Sequence, residues 1–126
     1  MKIYSKEHEK ALKLRNNMGL CFKRHLDHVE SYDAIVKKAK TPEEKKRVIT
    51  AWEAREKALD KKEDVAYTNY YNYMHKNFDN ETIEKKLIKY KDGFVDDKFI
   101  NNLFKTKARA DKKQKRSVKK WVQKTL

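Results

Sequence analysis

Glycine occurs twice, proline once and cysteine once in 126 residues. So little turn chemistry argues against sandwiches and barrels built from hairpins of strands, and against the glycine-rich loops that cradle phosphates in nucleotide-binding folds. Cys21 alone can form no internal disulfide and no cysteine-based zinc finger. No uncharged run approaches the roughly 18 residues of a spanning helix. The stretch from Met1 to Lys10 is charged where a secretion signal needs apolar residues. A cytoplasmic, intracellular protein without membrane attachment is the expectation.

What the chain has in abundance is charge. Charged residues make up 41% and hydrophobic ones 38%, and 33 Lys and Arg stand against 19 Asp and Glu, a net charge of +14. The length suits one domain, and with turn residues this scarce long helices are what remains. Lysine over arginine, with many Asn, Tyr, Ile and Phe, is the bias of an AT-rich genome and concerns origin, not mechanism.

Residues Ala11, Leu14, Met18, Phe22, His25, Val29, Tyr32, Val36 and Ala39 recur in steps of three and four behind Ser5, a candidate N-cap. This spacing predicts a helix from about 6 to 39, breaking if anywhere at Ser31 to Asp33, where Ser and Asp compete for backbone hydrogen bonds. Thr41-Pro42-Glu43-Glu44 then starts a second helix: a threonine cap, proline in the first turn, and acids where they oppose the macrodipole. Its buried stripe is expected to use Val48, Trp52, Leu59, Ala66, Tyr70 and Met74, with Arg55 and Lys62 laying their stems along it. The short joint at Lys40 and Thr41 folds the two helices back as an antiparallel hairpin. Beyond Asn77, Asp79 or Asn80 caps a shorter helix reaching about Lys91, with Ile83, Leu87 and Ile88 on one face, ended by Asp92-Gly93. Asp96-Asp97 caps another that carries Phe99, Ile100, Leu103 and Phe104. The last stretch holds Val118, Trp121 and Val122 at helical spacing among lysines. The expected fold is therefore all-α: a long antiparallel helical hairpin over 1–77, a small two-helix cap over 78–110, and a basic C-terminal helix or tail over 111–126, in one domain. The hairpin's remaining face is suited to a second copy, a homodimer.

The charge is not spread evenly. Residues 98–126 contain eleven Lys or Arg against one Asp, so this segment holds +10 of the total of +14. Such a block attracts polyanions, and nucleic acid, DNA or RNA, is the commonest. The candidate phosphate-binding residues are Lys105, Lys107, Arg109, Lys112, Lys113, Lys115, Arg116, Lys119, Lys120 and Lys124, with Trp121 for positioning. A merely solvating tail gains nothing from exposing a tryptophan, and the apolar face is too small for a membrane helix.

Other motifs carry less. Ile83 to Lys107 outlines a helix-turn-helix offering Lys98, Asn101, Asn102 and Lys105, but Lys89 stands where a small residue is wanted and the turn is long. Tyr67, Tyr70, Tyr71 and Tyr73 with Met74 and Phe78 suit a wet-tipped core better than a base-stacking platform. Cys21, His25, His28 and a distant His75 match no zinc spacing. Glu53, Glu56, Asp60 and Glu63 alternate with basic residues and read as a salt-bridged solvent face, so neither enzyme, metal nor cofactor is called for. The rival to nucleic-acid binding is a protein-interaction module, a regulator or inhibitor such as mobile elements carry, docking on a larger acidic or nucleic-acid-handling protein.

Overall fold

A computed structural model describes residues 2–125, with side chains through Arg116. Among the described residues there is no strand. The helices are α1 (Lys6–Glu30), α2 (Tyr32–Lys38), α3 (Pro42–Asn77), α4 (Asn80–Leu87) and α5 (Asp97–Thr125), with a 3-10 turn at Gly93–Val95. The chain is all-α, as its lack of turn residues requires. It forms two compact units, Leu14–Met74 and Met1–Lys13 with His75–Leu126, and both α1 and α3 contribute to each.

In the unit of Leu14–Met74, α1 ends where the sequence places the break. The Ser31 hydroxyl donates to the His28 carbonyl at 2.6 Å, and such local bonding competes with helix continuation. At the start of α3, Thr41 Oγ1 accepts from the Glu44 N–H at 3.1 Å, while the Glu44 carboxylate reaches back to the Lys40 N–H at 2.9 Å. This is a displaced capping box. The helices run antiparallel: His28 meets Trp52, and three residues earlier on α1 His25 meets Glu56 and Glu63, further along α3.

The inward stripe differs from the one spacing predicts. On α1 the shielded stripe in this unit runs through Leu14, Met18, Cys21, His25 and His28, whereas Phe22 and Val29 are 58% and 45% exposed. On α3, Arg55 and Lys62 are exposed and Glu56 and Glu63 take the shielded positions between Trp52, Leu59 and Ala66. Both corrections have one cause. Hydrophobicity alone draws the stripe one residue away, whereas the polar side chains at 25, 28, 56 and 63 bind one another or backbone and so tolerate burial. The inward steps then alternate three and four on both helices.

The second unit is built around aromatic and aliphatic side chains from α5. Phe99, Ile100, Leu103 and Phe104 are buried, as are Phe78 and Ile83. Phe104 sits edge-on to Phe78 at 4.9 Å between centroids and stacks on His8 at 5.1 Å; Phe99 meets Tyr90 and Phe94. His8 is fully buried. Its Nδ1 accepts from the Tyr4 N–H, so the ring proton lies on Nε2, which donates to Asn101 Oδ1 at 2.7 Å. Ser5 caps α1 by accepting from the His8 N–H at 3.0 Å.

Asp79 caps α4 through the Thr82 N–H at 2.8 Å, and these hydrogen bonds hold its carboxyl below the ordinary value. The helix stops at Leu87, short of Lys91. Tight i to i+3 bonds at Lys89 and Tyr90 draw the chain into turns, leaving Ile88 92% exposed instead of packed. Gly93 takes φ +60°, the left-handed region that glycine enters without strain. Asp96 then caps α5 by accepting from the Lys98 N–H at 2.8 Å. From there one helix runs to Thr125, joining the second cap helix and the basic C-terminal helix or tail that were expected as separate elements. Its interior has no glycine or proline and contains Ala108 and Ala110, so nothing in it stops helix propagation.

Candidate nucleic-acid interface

An α-helix repeats its faces in steps of three, four and seven. Along α5, Phe99, Ile100, Leu103 and Phe104 occupy the buried side. Lys98, Lys105, Arg109, Lys112 and Arg116 follow one another in steps of seven, four, three and four, which aligns them on the opposite side. Four of the five are exposed and Lys105 is half-buried. Among the described residues, none of these five side chains has a hydrogen-bond or ion-pair partner. From Lys98 to Arg116 the row extends about 27 Å at about 1.5 Å per residue. Lys113 and Lys115 flank it on either side, exposed.

Lys107, also a candidate from the sequence, is turned the other way. Its ammonium lies 5.5 Å over the Phe78 ring and donates to Asn77 Oδ1 at 3.3 Å, so it braces the second unit. The side chains of Lys119, Lys120, Trp121 and Lys124, with Val118 and Val122, lie outside the described residues.

The helix-turn-helix outline does not match the geometry. Nine residues, three of them a 3-10 turn, separate α4 from α5, where that motif has a turn of about three to four residues. Asn101 is held by His8, and Asn102 Oδ1 accepts from Lys86 Nζ at 2.8 Å. Lys86 also donates to Thr106 Oγ1, and burial with Lys89 nearby lowers its pKa. The tyrosine concentration divides in two. Tyr70, Met74 and Phe78 are core, whereas Tyr67 and Tyr71, 46% and 43% exposed, stack with centroids 6.1 Å apart.

The unit of Leu14–Met74 brings together residues that the sequence weighed separately. Arg24 and Arg55 line both a 610 Å³ cleft over Trp52 and His28, where Asp27 accompanies them, and a 220 Å³ cleft beside Cys21 and Lys62. Trp52 and His28 are clasped reciprocally: Trp52 Nε1–H donates to the His28 carbonyl and His28 Nε2–H to the Trp52 carbonyl, both at 2.9 Å, with rings stacked at 4.6 Å. Deeper along the hairpin, His25 sets Nε2 at 2.6 Å from Glu56 and Nδ1 at 2.5 Å from Glu63. Those acids were expected on a solvent face; they are half-buried because they hold this imidazole. First Glu56 and then Glu63 push the His25 pKa from 6.5 up to about 9.

That shift has a sign for stability. A folded-state pKa above the ordinary one means that folding favours protonated His25, a contribution complete below pH 6.5 and lost as pH rises through about 9. The groups facing His25 from α3, namely Glu56, Asp60 and Glu63, are all acidic. In chelator-containing buffer the thermal midpoint should therefore fall across this window, and His25→Gln should flatten the fall. A slope unchanged by the substitution would show that the clasp does not couple to folding.

Comparison with protein-family models, curated proteins and solved structures finds no significant match to this chain.

Proposed function

We propose that the protein is a non-catalytic nucleic-acid-binding accessory protein that docks the basic face of α5 on a phosphate backbone. The observation that carries this reading is the row Lys98, Lys105, Arg109, Lys112 and Arg116. A core on one side of the helix anchors it, and the cations on the other lack described partners, so their charge is available to a polyanion. Contacts of this kind supply affinity without reading base sequence, so DNA and RNA are both substrates for the row. His25, the histidine best placed beside acids for base chemistry, has both ring nitrogens engaged by carboxylates, which supports a binding role over a catalytic one. Among the described residues no helix is long and apolar enough to cross a membrane. An intracellular location belongs to the same reading.

A second reading, a protein-interaction module, is favoured by Phe22, Leu26 and Val29. They lie four and three residues apart on α1 and are 58%, 46% and 45% exposed, an apolar stripe suited to a helical partner or a second copy. A tagged pull-down from lysate, with and without nuclease, separates the two. The nucleic-acid reading expects bound material to be lost on digestion; a defined protein retained after digestion, with no nucleic acid recovered before it, would overturn that reading.

A further inference from the structure

We propose that His25, Asp60 and Glu63 form a binding site for a divalent cation of zinc-like character, with Glu56 as the residue that orients the imidazole. One ligand atom from each of the three lies within 4.8 Å of the others. Asp60 and Glu63 are three residues apart on α3 and so project from one face, while His25 comes from α1. Bond lengths of about 2.0–2.2 Å in a zinc shell bring neighbouring donors to roughly 3.3 Å. Small side-chain rotations close the remaining distance.

Three observations distinguish the cluster from an ordinary acidic surface. A metal-bound histidine characteristically gives its other ring N–H to a carboxylate, and His25 Nε2 lies 2.6 Å from Glu56 Oε1. The second nitrogen, Nδ1, points at Glu63 Oε2, so the cation would take the place of a proton already shared between two of its ligands. Asp60, exposed and without a hydrogen-bond partner among the described residues, brings a further negative charge to a pair that is satisfied without it. Binding expels the Nδ1 proton to solvent, leaving a neutral imidazole and two carboxylates that balance the dication. Water completes the shell. An imidazole donor selects zinc over magnesium, which prefers oxygen alone.

The test uses the full chain, freed of metal with a chelator, titrated calorimetrically with zinc chloride and separately with magnesium chloride. One zinc per chain is expected, with no comparable magnesium uptake. Asp60→Asn changes an exposed side chain, leaves helicity by circular dichroism intact and should remove most of the zinc affinity. Glu56→Gln should weaken it about 10–100-fold, the usual cost of losing an orienting carboxylate. The exposed control Glu53→Gln should bind as the parent does. Absence of zinc uptake, equal uptake of magnesium, or Asp60→Asn binding with unchanged affinity would each overturn the assignment.

Discussion

Replacing Lys105, Arg109, Lys112 and Arg116 together by glutamine is expected to lower affinity for a random-sequence oligonucleotide by roughly three orders of magnitude near 0.1 M salt. The size follows from counterion release, in which each neutralised phosphate contributes about one unit to the slope of log affinity against log salt. Four lost contacts flatten that slope by about 3.6 on a duplex. Glutamine keeps helix propensity, and the four positions lie away from the buried face of α5, so helicity and thermal midpoint should hardly change. A matched Lys107→Gln variant should behave oppositely. Lys107 braces Phe78 and Asn77, so its loss should touch stability more than affinity. If the quadruple variant binds as tightly as the parent, the row is not the interface.

The second large effect concerns what holds α5 in place. Phe104, 2% exposed, fills the space between the His8 ring and the edge of Phe78. Phe104→Ala should cost about 3–5 kcal/mol, the usual range for emptying a buried aromatic site. Domains of this size have only about 5–15 kcal/mol of stability in all. At about 4 °C per kcal/mol for a chain of this length, the thermal midpoint should drop by roughly 12–20 °C. His8 would also lose one of its two stacking partners, keeping Tyr4 and its bond to Asn101, so the damage centres on the α1 start and α5 together. A loss under about 1 kcal/mol would mean that the second unit does not depend on this contact.

The elements themselves were legible because their punctuation is local. Ser5, Thr41, Asp79 and Asp96 accept the N–H groups that capping chemistry assigns them, and Ser31 breaks the first helix where its hydroxyl can reach a carbonyl. Helix ends set by tertiary context were harder. Nothing at Leu87 in the sequence says that α4 stops there, and the continuity of α5 past Ala110 is visible only as an absence of breakers.

The candidate site was half legible. Net charge located the basic segment, yet the alignment of its cations depends on which side of α5 is buried. That side is set by Phe99, Ile100, Leu103 and Phe104, and the same register sends Lys107 inward. The hairpin interior misled for a related reason. A search for hydrophobic residues selects Phe22 and Val29 and overlooks His28 beside them, because a buried polar residue is recognised by its partner and not by its own hydropathy. Glu56 and Glu63 are interior because His25 of the facing helix lies between them, a pairing that no local pattern on α3 displays.

Docking of the α5 cation row on a phosphate backbone, as proposed, is decided by fluorescence anisotropy of the full-length protein with a labelled random-sequence duplex between 50 and 200 mM salt. A row of about five phosphate contacts predicts a log–log slope near −4.5, hence an affinity falling several hundred-fold across that range. Binding that is absent at the lowest salt, or whose strength does not change with salt, would contradict it.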